Sequence, residues 1–348
     1  MTGAGGRRAR ARGIDCGVLP PGRWNAITDV PGVAVGHCTR LGGGLATGVT
    51  AVLPHGGDLF RDKVLAAAEV INGFGKSVGL MQLQELGTLE TPLLLTNTFG
   101  VGTCANALIR RAVAQNPAIG RRTSTVNPVV LECNDGPLND IQAMAVTEAD
   151  ALAALDAAAG GAVVQGAVGA GTGMTCFGFK GGIGTASRAL TLDGQGFHLG
   201  ALVLSNFGRA GDLVLPGGLR PDPRGGGDAP ERGSVIVVLG TDVPLGLRQL
   251  ARVARRAGAG LARLGAFWGH GSGDIALAFS TANRVAHEAR GDFADRRVLN
   301  DARIDLMFRA AAEATAEAVL DSMLTATTVA GRDGATRPCL GDWLDRRR

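Results

Sequence analysis

The sequence predicts a protein of mixed α and β structure built around one extended core. Strand-like and helix-like hydrophobic patterns are interleaved along its 348 residues. Apolar residues make up 45% of the chain and charged residues only 19%, so a large core is available and disorder is excluded. No internal repeat of fixed period is visible. We therefore expect one domain, residues 1–348.

The strand predictions rest on short apolar runs, several of them rich in β-branched residues. These runs are Val49–Leu53, Pro92–Thr96, Pro128–Cys133, Ala162–Val168, Gly200–Ser205, Val235–Gly240 and Ile275–Thr281.

The helix predictions rest on longer segments with a period close to four, for which Thr147 offers one N-cap. The segments are Val101–Gln115, Thr147–Gly160, Pro244–Gly258 and Asn300–Thr327. In the last segment one buried stripe is predicted, formed by Ile304, Phe308, Ala312, Ala316 and Leu320.

Composition excludes several classes of partner. A net charge of +4, with no tyrosine and 4% aromatic residues, does not indicate a nucleic-acid-binding protein. No apolar run approaches the roughly 18 residues of a membrane helix. The basic start, Arg7–Arg12, is not followed by the apolar stretch of an export signal, so it predicts a solvated arm and a cytoplasmic protein.

The glycine-dense run Gly169–Gly184 does not predict a nucleotide site. A phosphate-binding loop would require lysine where Phe179 stands, and Lys180 is followed by Gly181. A dinucleotide fingerprint would require a helix after the glycines, whereas a strand-like segment follows. No His, Cys or carboxylate cluster has the spacing of metal ligands, so neither a cofactor nor a metal is expected.

The segment 216–233 is rich in Gly, Pro and charge, and it predicts an exposed, flexible linker. It runs without transition into Ser234–Gly240, whose β-branched residues are typical of a buried central strand. The simplest interpretation of this junction is a loop or a domain boundary. The alternative is that Ser234 begins the strand because the chain is cut there.

A cut between Gly233 and Ser234 would give one residue both a hydroxyl nucleophile and a free α-amine. The pKa of such an amine, about 7.7–8.0, suits a general base near neutral pH. The same hydroxyl could make the cut by attacking the Gly233 carbonyl to form an ester that water then opens. On the residues alone, a Gly-Ser pair in a glycine-rich chain is weak evidence.

Three further clusters combine turn formers with polar side chains at predicted strand ends. Ser272 and Asp274 would share one face of a strand and could orient a nucleophile, although a serine turn is the simpler interpretation. Glu132 could hold a cationic substrate group beside the Asn134 turn, and Asn206 could donate into an oxyanion hole. His270 could be considered as a catalytic base, but no aspartate–histidine–serine signature is visible in the sequence.

Taken in order, these motifs resemble the self-cleaving family of L-aminopeptidase/D-amidase-esterases and their β-peptidyl aminopeptidase relatives. The resemblance spans nearly the whole chain. It is carried by Trp24–Val33, Glu90–Thr98, Glu132–Asp140, Gly169–Gly184, Gly233-Ser234, Gly271–Asp274 and the strand that continues to Asn283.

The resemblance implies a four-layer α/β/β/α sandwich of the N-terminal nucleophile hydrolase type, with its own connectivity. It also implies cleavage into an α chain, 1–233, and a β chain, 234–348. Ser234 would be the nucleophile, positioned by Ser272 and Asp274. Asn206 would donate to the oxyanion, while Glu132 would receive the substrate's free amine.

The expected enzyme removes N-terminal residues from short peptides, amino-acid amides or esters, without a cofactor, as a homo-oligomer of αβ units. The alternatives are an acyltransferase or oligoamide hydrolase of the same fold, or an uncleaved scaffold without activity. Two positions depart from the family pattern and bear on specificity. Lys76 stands where relatives commonly have an acidic residue, and Asn134 stands where some have an aromatic hydroxyl.

Overall fold

The computed structural model describes residues 7–223, 231, 233–289 and 291–347. Part of the predicted linker 216–233, namely residues 224–230 and 232, lies outside the described residues. Among the described residues there are seven α-helices: α1 (Leu80–Leu86), α2 (Val101–Gln115), α3 (Glu148–Asp156), α4 (Leu247–Arg255), α5 (Ala257–Ala262), α6 (Ile304–Leu324) and α7 (Leu340–Asp345).

The strands of the described part of the chain form two main sheets and one small hairpin. The four-stranded sheet has the order β1-β2-β5-β6 and the six-stranded sheet the order β4-β3-β12-β11-β10-β9. The bounds are β1 (Ala34–Gly42), β2 (Leu45–Leu53), β3 (Asp62–Gly73), β4 (Thr88–Leu89), β5 (Leu93–Asn97), β6 (Val129–Cys133), β7 (Thr175–Cys176), β8 (Phe179–Lys180), β9 (Gly182–Leu192), β10 (Gln195–Asn206), β11 (Ser234–Thr241) and β12 (Gly273–Ala286).

Three apolar clusters separate four layers. The first lies between the two sheets, where leucines and valines of β5 and β6 meet those of β10, β11 and β12. A second lies between the six-stranded sheet and helices α4, α5 and α6. The third lies between the four-stranded sheet and helices α2 and α3. The expected α/β/β/α sandwich is therefore confirmed.

Most predicted elements are present, and helix α2 has the predicted bounds. Thr147 caps α3, since its hydroxyl accepts a hydrogen bond from the Asp150 N–H at 3.3 Å. The predicted strand Ala162–Val168 is wrong. This segment contains the left-handed Gly166 (φ +88°), and it pairs with β9 only through an isolated bridge from Gly166 to Ile183.

The basic start is not a solvated arm. Arg8 and Arg10 pair with acidic residues of α6, with Nε–O distances of 2.6 Å to Asp321 and 2.9 Å to Glu317. These two carboxylates are fully buried. The two arginines therefore neutralise buried carboxylates of α6. These ion pairs attach the N-terminal segment to α6.

The sheet topology brings several strand ends to one edge. Strand β11 pairs in parallel with β12 and antiparallel with β10, so its first residue, Ser234, lies beside Gly273 and opposite Asn206. Strand β6 of the other sheet ends there too, because the Cys133 thiol contacts the Leu204 carbonyl of β10 at 3.7 Å. Glu132 is thereby carried to the same edge.

Candidate active site

Ser234 is the first residue of a central strand, and its side chain is buried against the preceding peptide bond. Its hydroxyl donates a hydrogen bond to the Gly233 carbonyl oxygen at 2.7 Å. The main-chain N–H of Gly273 lies 3.2 Å from the same carbonyl oxygen and 3.2 Å from Ser234 Oγ. A hydroxyl group and a main-chain N–H thus both adjoin one carbonyl group.

Close packing explains why glycine precedes Ser234. A Cβ atom at position 233 would lie 2.2 Å from the carbonyl oxygen of Asn206 and 2.7 Å from the Cα of Phe207. Both are backbone atoms, which cannot move aside as a flexible side chain could. Only glycine lets the strand end approach β10 this closely.

Ser272 and Asp274 do share a face, as their spacing predicts. The Ser272 hydroxyl donates to Asp274 Oδ1 at 2.8 Å. Within the described residues, Asp274 Oδ2 is buried and has no hydrogen-bond partner. Burial raises the pKa of Asp274 to about 7; the Ser272 hydrogen bond opposes this and the negative charge of Glu231 adds to it. A cation placed beside Oδ2 would be strongly stabilised.

The Asn206 side chain is held from both ends. Its Oδ1 accepts from the Thr175 main-chain N–H at 2.9 Å, and its Nδ2 donates to the Asn134 carbonyl at 2.9 Å. An amide nitrogen carries two N–H groups, and this bond uses one of them. The orientation of the amide opposite Ser234 is therefore fixed.

A cavity of about 280 Å³ opens at this edge and brings together Ser234 with two predicted binding residues, Glu132 and Asn134. Its other lining residues are Phe74, Lys76, Thr98, Gly233, His270 and Gly271. The other three predicted residues do not line this cavity. They lie beside it, at the start of β12 (Ser272 and Asp274) and at the end of β10 (Asn206).

Glu132 is 3% exposed and held by two donors. Its carboxylate accepts from the Lys76 main-chain N–H at 2.8 Å and from the Thr98 hydroxyl at 2.5 Å. No group of three or more His, Cys, Asp and Glu side chains in the described ranges could hold a metal ion. Nor does any described helix have the length and apolar character needed to cross a membrane.

The pattern that describes peptidase family S58 matches residues 25–337. The chain belongs to this family.

Among characterised relatives, the β-peptidyl aminopeptidase BapA of Sphingosinicella microcystinivorans is 40% identical over 360 aligned residues, which cover 96% of this chain and 89% of that protein. A solved structure of the PH0078 protein from Pyrococcus horikoshii OT3 is 46% identical, with a TM-score of 0.92 and 98% of each chain covered. The L-aminopeptidase D-Ala-esterase/amidase of Ochrobactrum anthropi, described as a variant of the Ntn hydrolase fold, is 37% identical with a TM-score of 0.88, covering 98% of this chain and 99% of that one. This S58 member is thus a hydrolase, an aminopeptidase, with that fold.

The sequence reasoning missed several groups around the S58 site. Thr98 could have been found, because it directly follows β5, Glu132 is the last residue but one of β6, and these two strands are parallel neighbours. The Gly273 N–H and the ring of Phe74 carry no residue-type signal. Gly273 enters the site because β12 pairs with β11, and Phe74 enters it because β3, which ends at Gly73, pairs with β12.

Proposed function

We propose that this S58 aminopeptidase activates itself by cutting the Gly233–Ser234 bond and then removes N-terminal residues through an acyl-enzyme on Ser234. Its substrates are short peptides, amino-acid amides or esters. The observation that carries the proposal is the contact of the Ser234 hydroxyl with the Gly233 carbonyl, beside the Gly273 N–H.

The self-cleavage step follows from this contact. Ser234 Oγ attacks the Gly233 carbonyl carbon, and the Gly273 N–H stabilises the negative oxygen that forms. The C–N bond breaks, the nitrogen takes a proton, and Gly233 becomes joined to Ser234 through an ester. Water then opens the ester, which leaves a Gly233 carboxylate and a Ser234 with a free hydroxyl and α-amine.

In the mature enzyme the new amine acts as the base. It takes the hydroxyl proton as Oγ attacks the substrate carbonyl, and it returns that proton to the leaving amine as the scissile C–N bond breaks. While it holds that proton, the ammonium group pairs with Asp274, whose Oδ2 is buried and unused by the described residues. Water then opens the acyl-enzyme ester, which releases the N-terminal residue and restores the Ser234 hydroxyl. Ser272 orients Asp274 through their 2.8 Å hydrogen bond.

Substrate binding uses the two remaining predicted groups together with Asn206. Glu132, at the cavity wall, pairs with the free amine of the N-terminal residue, and Asn134 borders the same space. The Asn206 amide and the Gly273 N–H donate to the substrate oxyanion. Donors of this kind contribute about 10²–10³ in rate. We also propose that the αβ units form a homo-oligomer, as the resemblance implies.

The first test is the intact mass of the purified chain under denaturing conditions. The 35.4 kDa chain of 348 residues averages about 102 Da per residue, so we expect fragments of about 24 and 12 kDa, the smaller beginning at Ser234. Ser234→Ala should leave one uncut chain without aminopeptidase activity. As a control, substitution of the exposed Ser124 by alanine should leave cleavage and activity unchanged.

Two results would overturn the assignment. One is a Ser234→Ala protein that still hydrolyses aminoacyl amides. The other is a wild-type chain that hydrolyses them at full rate while it remains a single 35.4 kDa species.

A further inference from the structure

The cavity beside Ser234 is lined by one acidic and one basic side chain, and they occupy different depths. Glu132 is buried, whereas Lys76 is exposed at the rim. The two are directly linked, because the Lys76 main-chain N–H donates to Glu132 Oε1 at 2.8 Å. The site therefore offers an anion for the substrate amine and a cation on the wall of the same cavity.

The Lys76 ammonium is held at the cavity wall. Its Nζ lies 4.3 Å from the centre of the Phe74 ring, and Phe74 itself lines the cavity. Such a cation–π contact favours one position of an otherwise flexible side chain. In the described part of the chain, Lys76 forms no ion pair with a carboxylate, so its charge is available to a ligand.

From this arrangement we infer that Lys76 selects substrates whose N-terminal residue carries a carboxylate, such as an N-terminal Asp or Glu. The inference rests on the proposed function, in which Glu132 holds the amine of that residue. Because Lys76 and Glu132 line the same cavity and the Lys76 ammonium lies over the Phe74 ring on its wall, the ammonium reaches a carboxylate on the same residue as the amine. The leaving group of the substrate lies on the other side of the scissile carbonyl. The half-exposed Phe74 ring covers the methylene groups that join the amine and the carboxylate of the substrate residue.

The expected effect is modest and acts mainly on KM. Ion pairs at exposed positions are worth up to about 1 kcal/mol, which corresponds to roughly five-fold in affinity. The carboxylate lies away from the reacting atoms, so ground state and transition state gain equally from the pair. Salt should weaken the preference, because exposed charges are screened.

The experiment compares p-nitroanilides of Glu, Ala and Lys, together with a β-linked aspartyl anilide. For the fully cleaved wild-type enzyme, kcat/KM for Glu should exceed that for Ala by about five-fold. Lys76→Met should bring this ratio close to one. Lys76→Glu should reverse the charge preference, so that the Lys anilide becomes a better substrate than the Glu anilide. The β-linked anilide tests whether an α-carboxylate serves as well as a side-chain one.

Lys63 supplies a matched control, because its Nζ lies 5.0 Å from the ring of Phe60 but outside this cavity. Lys63→Met should keep the wild-type ratio. A Glu:Ala ratio that survives in both Lys76 variants would overturn the inference. The inference would also be overturned if the wild-type enzyme preferred Ala-Ala over Ala-Ala amide and Lys76→Met lost that preference. Such a result would mean that Lys76 binds the carboxylate of the leaving residue.

Failure of the inference is distinguishable from failure of the proposed function. If the proposed function is wrong, the wild-type chain stays uncut or Ser234→Ala remains active. If only the inference is wrong, the wild-type chain is cut and hydrolyses Ala anilide, but the Glu:Ala ratio does not depend on residue 76.

Discussion

The carboxylate of Glu231 accepts a hydrogen bond from the main-chain N–H of Gly269, with an O–N distance of 2.7 Å. Its other oxygen accepts from the Gly208 N–H at 2.9 Å. Gly208 follows the end of β10 and Gly269 precedes the start of β12. A side chain two residues before Gly233 therefore ties the segment before the proposed cleavage site to both strands that flank Ser234.

Glu231→Ala should slow self-cleavage. Hydrogen bonds to an ionised acceptor are about twice as strong as neutral ones, and attack on a carbonyl requires the reacting atoms to stay near 3 Å. Without the two bonds, we expect the Gly233 carbonyl to spend less time beside Ser234 Oγ, with maturation slower by about ten-fold or more. The measurement is the uncut fraction against time after a pulse of expression, by denaturing mass spectrometry.

Glu288→Ala is the control for this experiment, because it also removes a glutamate. Glu288 is exposed and pairs with Arg61, which contacts neither Glu231 nor Ser234. It should mature at the wild-type rate. Equal maturation rates for the Glu231 and Glu288 variants would show that the two hydrogen bonds do not position the scissile peptide.

Asn206→Ala should reduce kcat by about 10²–10³, the usual loss when one oxyanion donor is removed. KM should change little, because the donor acts on a charge that exists only in the transition state. Since the same donor can assist self-cleavage, rates should be normalised to the cleaved fraction. Asn283→Ala removes a hydrogen bond to the Arg297 carbonyl and is the control. A kcat within two-fold of wild type would exclude Asn206 from the oxyanion site.

Asp274 should make the uncut protein less stable as pH rises. Its pKa is raised from 3.8 to about 7 in the folded chain, chiefly by burial. Below about pH 4 the group is protonated in both states. Between pH 4 and 7 the unfolded chain ionises first, so the free energy of unfolding falls, and above pH 7 the loss is complete.

This dependence can be isolated in Ser234→Ala, which keeps the chain uncut. Adding Asp274→Asn should remove the loss, so the double variant should gain roughly 2–4 kcal/mol over the single variant between pH 4 and 7. Urea unfolding at several pH values measures the difference. Curves that stay parallel would mean that Asp274 is already ionised at low pH in the folded chain.

The sequence predicted the parts of the fold whose pattern is local. Helix α2 has regular apolar spacing, and β11 is an uninterrupted β-branched run, so both stand where expected. Strand β3 was missed although it is twelve residues long, because the Ala-rich stretch Leu65–Val70 resembles a helix and is extended only through pairing with β4 and β12. In this case tertiary context overrode local propensity.

The same limit applies to the candidate site. Ser234, Ser272 and Asp274 could be proposed because they adjoin strand starts that are visible in the sequence. The contacts of Lys76 and Glu231 could not be predicted in this way. Lys76 meets Glu132 through its own main-chain N–H, and Glu231 accepts from the main-chain N–H groups of Gly208 and Gly269; such N–H groups carry no residue-type signal. The predicted solvated arm failed for a related reason. The acidic partners of Arg8 and Arg10 lie about 300 residues further on, in a helix whose pattern does not reveal that it is buried on nearly every side.

Arg188 should be among the most sensitive positions for stability. Its guanidinium is fully buried and bonds Glu313 at 3.1 Å and Glu317 at 2.9 Å, both of which are buried too. Arg188→Met would leave buried carboxylates short of a cation, which typically costs about 3–5 kcal/mol. We expect Tm to fall by roughly 10 °C in thermal unfolding of the Ser234→Ala protein.

Arg110→Met provides the comparison, because its pair with Glu148 is exposed and should contribute less than about 1 kcal/mol. Adding Glu313→Gln to Arg188→Met should recover part of the loss, since it removes one of the uncompensated charges. If the double variant were no more stable than Arg188→Met alone, the loss would come from packing of the long side chain. Partial recovery would locate the cost in the buried charge that joins β9 to α6.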